Sequence, residues 1–265
     1  MKLKITHTTQ YSYDAPVNYG LQQARLTPVS STNQTVTNWN IIIDGGASEL
    51  MFTDQYANLT TLIQADQGTT YVSVTVNGEI ETHCSNGILG EVYDIVPLWH
   101  FIQDTPRTSA GKGIQKLAKK LGKANNTLDG LHALSRTIAT AVPYGEAATF
   151  ATTPAEDALK TGGGVCQDHA QIFIAAARYS GIPARYVSGY LMMDDRVNQD
   201  ASHAWAEAHI DGLGWVGFDV SNGICPDERY VRVAIGRDSR DAAPITGIRL
   251  GSASEFMTVS LQIQQ

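Results

Sequence analysis

The sequence predicts an α+β protein, with a β-sandwich-like domain over residues 1–95 and a core over 96–265 in which helices pack on an antiparallel sheet. Three observations carry this expectation. Residues 1 to about 90 alternate polar and apolar side chains between turn-forming residues, the pattern of half-buried strands. From Pro97 to Tyr179 the apolar positions recur at helical spacing. From Arg185 onward the period returns to two.

Within the first part, Leu3–Thr6 and Thr9–Tyr13 alternate and stop at Asp14-Ala15-Pro16. Gln22–Leu26 is bounded by Pro28, and Val36–Ile43 runs to Asp44-Gly45-Gly46, a tight turn between strands. Tyr71–Val76 meets Asn77-Gly78, which predicts a hairpin with Glu79–Cys84 as its partner strand. His7 and His83 read as sheet-surface residues, not ligands. No catalytic cluster is expected here.

In the second part, Pro106–Leu121 and Leu128–Val142 read as helices around the polar break Asn125-Asn126-Thr127. Thr153-Pro154-Ala155-Glu156 opens another helix, with proline at its first position, and Gly162–Gly164 stop it. A buried helix follows and ends at Gly181-Ile182-Pro183. Strands are expected at Arg185–Met193, Ala201–Ile210, Trp215–Val220, Tyr230–Ile235 and Met257–Ile263.

Composition bounds the function. A chain of 265 residues with 43% hydrophobic and 17% charged side chains buries a core easily. A net charge of -7 argues against nucleic acid and against anionic membrane as partners. The start has no apolar run of signal-peptide type and no segment nears membrane-span length, so a cytoplasmic protein is expected. Three widely spaced cysteines, Cys84, Cys166 and Cys225, suit a reducing compartment.

The chemistry centres on Thr161-Gly162-Gly163-Gly164-Val165-Cys166-Gln167-Asp168. Cys166 falls in the first turn of a helix, where the unpaired N–H groups and the dipole favour a thiolate. Bare glycine backbone before it lets a substrate approach the sulfur. A thiol nucleophile needs a base, and the base needs an orienting group. His203, Trp205, Glu207 and His209 share one face of a strand, and Trp215, Gly217 and Asp219 share one face of the next. Asp211-Gly212-Leu213-Gly214 joins them. An even loop puts Asp219 on the wrong face; an odd loop or bulge makes it a same-face diagonal neighbour of His203. The second arrangement is expected, with Nδ1–H bonded to Asp219 and Nε2 facing Cys166.

These residues resemble a family. Gly-Val-Cys166-Gln-Asp, Gly181–Tyr190, Ser202-His203-Ala204-Trp205 and Gly214–Asp219 are similar to the bacterial transglutaminase-like proteins, papain-like cysteine enzymes of the transglutaminase superfamily. Val233–Asp238 is similar as well. Thr9–Tyr13 with Pro16-Val17 and Arg25–Pro28 resemble the β domain that precedes the core in those proteins. The resemblance implies a Cys166, His203, Asp219 triad acting on an amide through a thioester. Water then resolves the thioester, which is hydrolysis, or an amine does, which is transamidation. It also implies that Tyr144 and Gly145 border the site. The chain departs from the pattern at His169, where an aromatic is usual, and at Val220-Ser221, where Pro-Thr is usual.

Among the remaining candidates, Gln167 and Asp168 either support the site or cap the helix. Trp205 and Trp215 either wall the substrate cleft or pack the sheet. His203, Glu207 and His209 spread too far along one strand to close on a metal, and Asp194, Asp195 and Asp200 read as a solvated loop. No metal and no cofactor is expected; the partner is a peptide or protein amide. The favoured function is a cysteine-dependent hydrolase, with transamidation as the alternative. A non-catalytic binding module on the same fold falls behind, because all three triad residues are present.

Overall fold

The computed structural model describes residues 1–91, 96–121, 128–145, 149–251 and 254–265. The expected boundary at 95/96 and the break at Asn125–Thr127 fall outside these residues. Seven strands come first: β1 (Lys2–Val17), β2 (Tyr19–Thr27), β3 (Gln34–Asp44), β4 (Gly46–Thr53), β5 (Leu59–Ala65), β6 (Thr69–Thr82) and β7 (Ile88–Gly90). Among the described residues four α-helices follow: α1 (Lys112–Ala118), α2 (Leu128–Ala141), α3 (Ala155–Thr161) and α4 (Cys166–Tyr179). The remaining strands are β8 (Ala184–Leu191), β9 (Asn198–Gln199), β10 (His203–Ile210), β11 (Gly214–Phe218), β12 (Tyr230–Gly236), β13 (Ile245–Leu250) and β14 (Glu255–Gln264).

Two sheets form a sandwich, in the orders β3-β6-β1-β14-β9 and β13-β2-β5-β4. Their facing residues, Val72, Val74 and Val76 from one and Ala24, Leu26 and Ile63 from the other, share one core. The third sheet, β12-β8-β10-β11-β7, is antiparallel and carries the helices. Its Ala204, Ala206 and Ala208 face α4. Small residues there let the helix lie close, and Ile172, Phe173 and Ile174 are fully buried, worth roughly 1.5–3 kcal/mol each. A joint of Leu3, Ile5, Ile80, Leu261 and Ile263 against Tyr190, Val231 and Val233 locks the sandwich to the third sheet.

Three expectations are corrected. The Asn77-Gly78 hairpin does not form: β6 runs straight through it, with Ile5 and Trp39 opposite Gly78 on either side. A Cβ there would collide with the Trp39 ring, so the glycine serves close packing and not a turn. The C-terminal strand β14 belongs to the sandwich, pairing along β1, and β13 pairs with β2. Residues 245–264 thus return to the N-terminal sheets, and the core sheet closes without them.

The helix expected from Pro106 begins at Lys112. The hydroxyl of Thr105 takes the amides of Arg107 and Thr108, turning the chain locally. The start of α1 is instead fixed by Glu156 of α3, whose carboxylate accepts the Gly113 and Ile114 amides at 2.9 and 3.0 Å. Helix α3 ends as expected at Gly162, which is left-handed at φ 72°. No helix among the described residues is long and apolar enough to cross a membrane.

Candidate active site

Helix α4 starts at Cys166, with Val165 as its extended N-cap. Valine cannot cap, and Asp168 does the work from the third helical position. Its Oδ2 accepts the Val165 amide at 2.9 Å and the Thr149 hydroxyl at 2.6 Å. Asp168 is fully buried, and a Cβ at Gly164 would clash with its carboxyl group. The last glycine of the run therefore makes room for the cap. Cys166 itself is half-exposed at the head of the helix.

The loop between β10 and β11 is Asp211–Leu213, an odd connection, with Ile210 opposite Gly214 and Ala206 opposite Phe218. Continuing that register makes His203 and Asp219 same-face diagonal neighbours, as expected. The ring is turned the other way round, however. His203 Nε2–H donates to Asp219 Oδ2 at 2.6 Å. Nδ1 is left unbonded to Asp219, and Cys166 lies near enough to act on the imidazole. His203 is the first residue of its strand, and it lines the cavity together with Cys166 at the head of α4.

Burial acts to lower the His203 pKa, but hydrogen bonds and charge from Asp219 and Cys166 outweigh it and push the imidazole up to about 10. Asp219 is also buried, which acts to raise its carboxyl group. The bonds from His203, Asn222 and Tyr230 win and hold it below the usual carboxylate range. The Asp219 carboxylate accepts the Tyr230 hydroxyl and Asn222 Nδ2, both at 2.7 Å, and the amides of Ser221 and Asn222. Tyr230 and Asn222 were missed in the sequence. Tyr230 lies on a strand expected only for packing, and nothing local marks its reach to Asp219.

Trp205 does not line the cleft. It is buried behind His203, stacked at 6.3 Å between ring centroids, with Tyr230 edge-on. It props the imidazole. Trp215 packs too, with the Arg185 guanidinium 3.8 Å over its ring. Glu207 bonds Arg185 and Arg232, at 2.6 and 3.1 Å, and His209 reaches Glu91. Gln167 lines the cleft and donates to Ala151 O at 3.1 Å. Tyr144 stands exposed beside Gly164, edge-on to His169. Asp195 pairs with Arg196 in an exposed loop. Cys84 is exposed, and burial pushes the half-buried Cys225 thiol up.

The two departures from the family pattern meet each other. His169 Nδ1 accepts the Ser221 hydroxyl at 2.8 Å, while its Nε2–H donates to Val142 O at 2.7 Å. This ties α4 to the loop after Asp219 and to the end of α2.

A cavity of about 510 Å³ opens over Cys166 and His203. One wall is the sandwich: His7, Thr9 and Tyr11 of β1 with Met257 and Val259 of β14. The expectation that His7 sits on a sheet surface is thus overturned. His7 is buried, its Nδ1 bonded to the Tyr190 hydroxyl at 2.9 Å and its Nε2 to Thr9 at 3.0 Å. The signal was present, because period two puts His7 on the face of Leu3 and Ile5. His83 is exposed, as expected. Tyr186, Ser188 and Arg107, also missed, line the cleft with Ser239 and Arg240.

Residues 115–220 match the transglutaminase-like superfamily, and residues 3–81 match the bacterial transglutaminase-like N-terminal region. The chain belongs to the transglutaminase-like superfamily. A solved structure described as a candidate cysteine protease from Cytophaga hutchinsonii is 25% identical, with a TM-score of 0.78, over 100% of this chain and 91% of that one. An uncharacterised protein of Mycobacterium leprae is 28% identical over 99% of this chain and 98% of its own length. One from Mycobacterium tuberculosis is 26% identical over 99% and 92%. Both parts of the chain, sandwich and core, therefore recur together in these relatives of the family.

Proposed function

We propose that this family member is a cysteine-dependent amide or peptide hydrolase with Cys166, His203 and Asp219 as its triad. The observation that supports this most is His203, hydrogen-bonded to Asp219 and lining the same open cleft as Cys166. Cys166 Sγ attacks the amide carbonyl carbon, and the oxyanion meets the Cys166 N–H at the start of α4. As the C–N bond breaks, His203 passes its Nδ1 proton to the leaving amine. Water then attacks the thioester, giving its proton back to His203, and the acid leaves with the thiolate restored. Asp219 stays ionised and keeps the ring in place.

The partner in this reading is a peptide or protein amide, and no cofactor takes part. The three free thiols suit a reducing setting, and we place the protein in the cytoplasm. The test is turnover of a panel of peptide amides, with hydroxylamine added to trap the thioester. Release of acid by the wild type and none by Cys166→Ala supports hydrolysis. Incorporation of a labelled primary amine in place of acid release overturns it in favour of transamidation. A folded protein that does neither points to a binding module.

A further inference from the structure

Apart from the Cys166–His203 pair, the full charges lining the cleft are Arg107 and Arg240, both positive, and no carboxylate lines it among the described residues. This is unexpected in a chain of net charge -7. The nearby acids are engaged inside the protein. Asp168 holds the Val165 amide and Thr149, and Asp219 holds His203, Tyr230 and Asn222. Asp238 takes the amides of Arg240 and Asp241, while Asp241 takes Tyr56 and Arg237.

The arginines line the same cavity as Cys166 and His203. Arg107 Nη1 donates to Ala151 O and to Ser239 Oγ, at the latter over 2.6 Å. Ala151 O also receives Gln167, the neighbour of Cys166, and Ser239 precedes Arg240. Arg107 is thus held beside the segment that carries Arg240, and both residues line the cavity. A guanidinium has five N–H donors, and among the described residues Arg107 bonds through Nη1 alone. Arg240 has an exposed side chain with no ion pair among them. The opposite wall is neutral: His7, held uncharged by burial, with Thr9, Tyr11, Met257 and Val259.

From this arrangement we propose that the substrate carries a carboxylate beside the scissile amide, held by Arg107 and Arg240. The inference rests on the amide-cleaving reading of the same site. Arginine is suited to the task, since its planar fork meets a carboxylate through two parallel hydrogen bonds. The carboxylate comes from a free peptide C-terminus or from an acidic side chain next to the bond.

The test compares alkylation of Cys166 by iodoacetate and by iodoacetamide, reagents that differ by one negative charge. The wild type is expected to favour iodoacetate about tenfold more than a small free thiol does, a preference that salt erodes. His203 contributes to that ratio, so the decisive readout is the fall in the ratio, about threefold in Arg240→Gln and more in Arg107→Gln/Arg240→Gln. A ratio unmoved in both variants overturns the proposal while leaving the nucleophile intact. If neither reagent labels Cys166 in the folded protein, the amide-cleaving reading fails and the proposal falls with it. Peptide amides then separate the sources. A KM lower for the free acid than for the C-terminal amide assigns the terminus, and one lower for Glu than for Gln assigns the side chain. No preference in either pair overturns the proposal.

Discussion

Two histidines line one cleft, and one is charged while the other is neutral. His203 and His7 are both buried, and burial alone acts to lower both imidazoles. For His7 nothing opposes it: its partners are the neutral hydroxyls of Tyr190 and Thr9, and its pKa is lowered to about 4. For His203 the Asp219 carboxylate and the Cys166 thiol reverse the direction and bring it to about 10. Location in the cleft does not decide charge; the acceptor within hydrogen-bonding distance does. One wall is therefore ionic, and the wall supplied by the sandwich is neutral.

The largest expected effect comes from removing what separates the two. Asp219→Asn deletes the charge that holds His203 protonated and leaves its ring free to turn. Turnover is expected to fall about 10²–10⁴-fold, by analogy with other triads. A loss under threefold in steady-state kinetics would mean that Asp219 does not orient the base.

Next comes the pH dependence of stability, where the two histidines pull in opposite senses. The folded pKa of His7 lies below its unfolded value, so the unfolded chain binds more protons between pH 6.5 and about 4. Stability is expected to drop by a few kcal/mol as pH falls through that window, because one extra proton bound by the unfolded chain is worth about 1.4 kcal/mol per pH step. The folded pKa of His203 lies above its unfolded value, so its contribution is full below pH 6.5 and is lost as pH rises towards about 10. Urea unfolding of wild type and His7→Gln at pH 4.5 and 7 checks the first part. Equal acid losses in both proteins would contradict it.

Smaller effects sharpen the ionic side. Tyr230→Phe removes one donor from Asp219 and is expected to cost about 1–1.5 kcal/mol, seen as roughly tenfold in kcat/KM. Ser221→Ala frees His169 Nδ1 and is expected to cost about 1 kcal/mol of stability with turnover within a few-fold. A Ser221→Ala loss as large as that of Asp219→Asn would place His169 in the chemistry instead of in the scaffold.

Helix α4 with Cys166 at its head was legible because its signals are local: a glycine run, an abrupt apolar helix and a polar first turn. The His203–Asp219 pairing was legible up to parity, because strand alternation and loop length set which faces meet. The ring orientation was not, since either nitrogen satisfies the same register. His7 was misread although its alternation with Leu3 and Ile5 was in view, because an isolated histidine on a strand carries no sign of what covers it. Asn77-Gly78 was misread because its turn preference yields to packing: β1 and β3 pair along both sides of β6, and Trp39 lies over the glycine. The return of β13 and β14 to the sandwich is a matter of long-range pairing, which local pattern does not encode.

The most direct measurement follows both histidines in one experiment, an NMR titration of the imidazole nitrogens from pH 4 to 10. The account predicts His203 still protonated at pH 8 and His7 neutral at pH 5, with Asp219→Asn or Cys166→Ala moving His203 downward and leaving His7 unchanged. Both rings titrating together near the ordinary value of about 6.5 would contradict it.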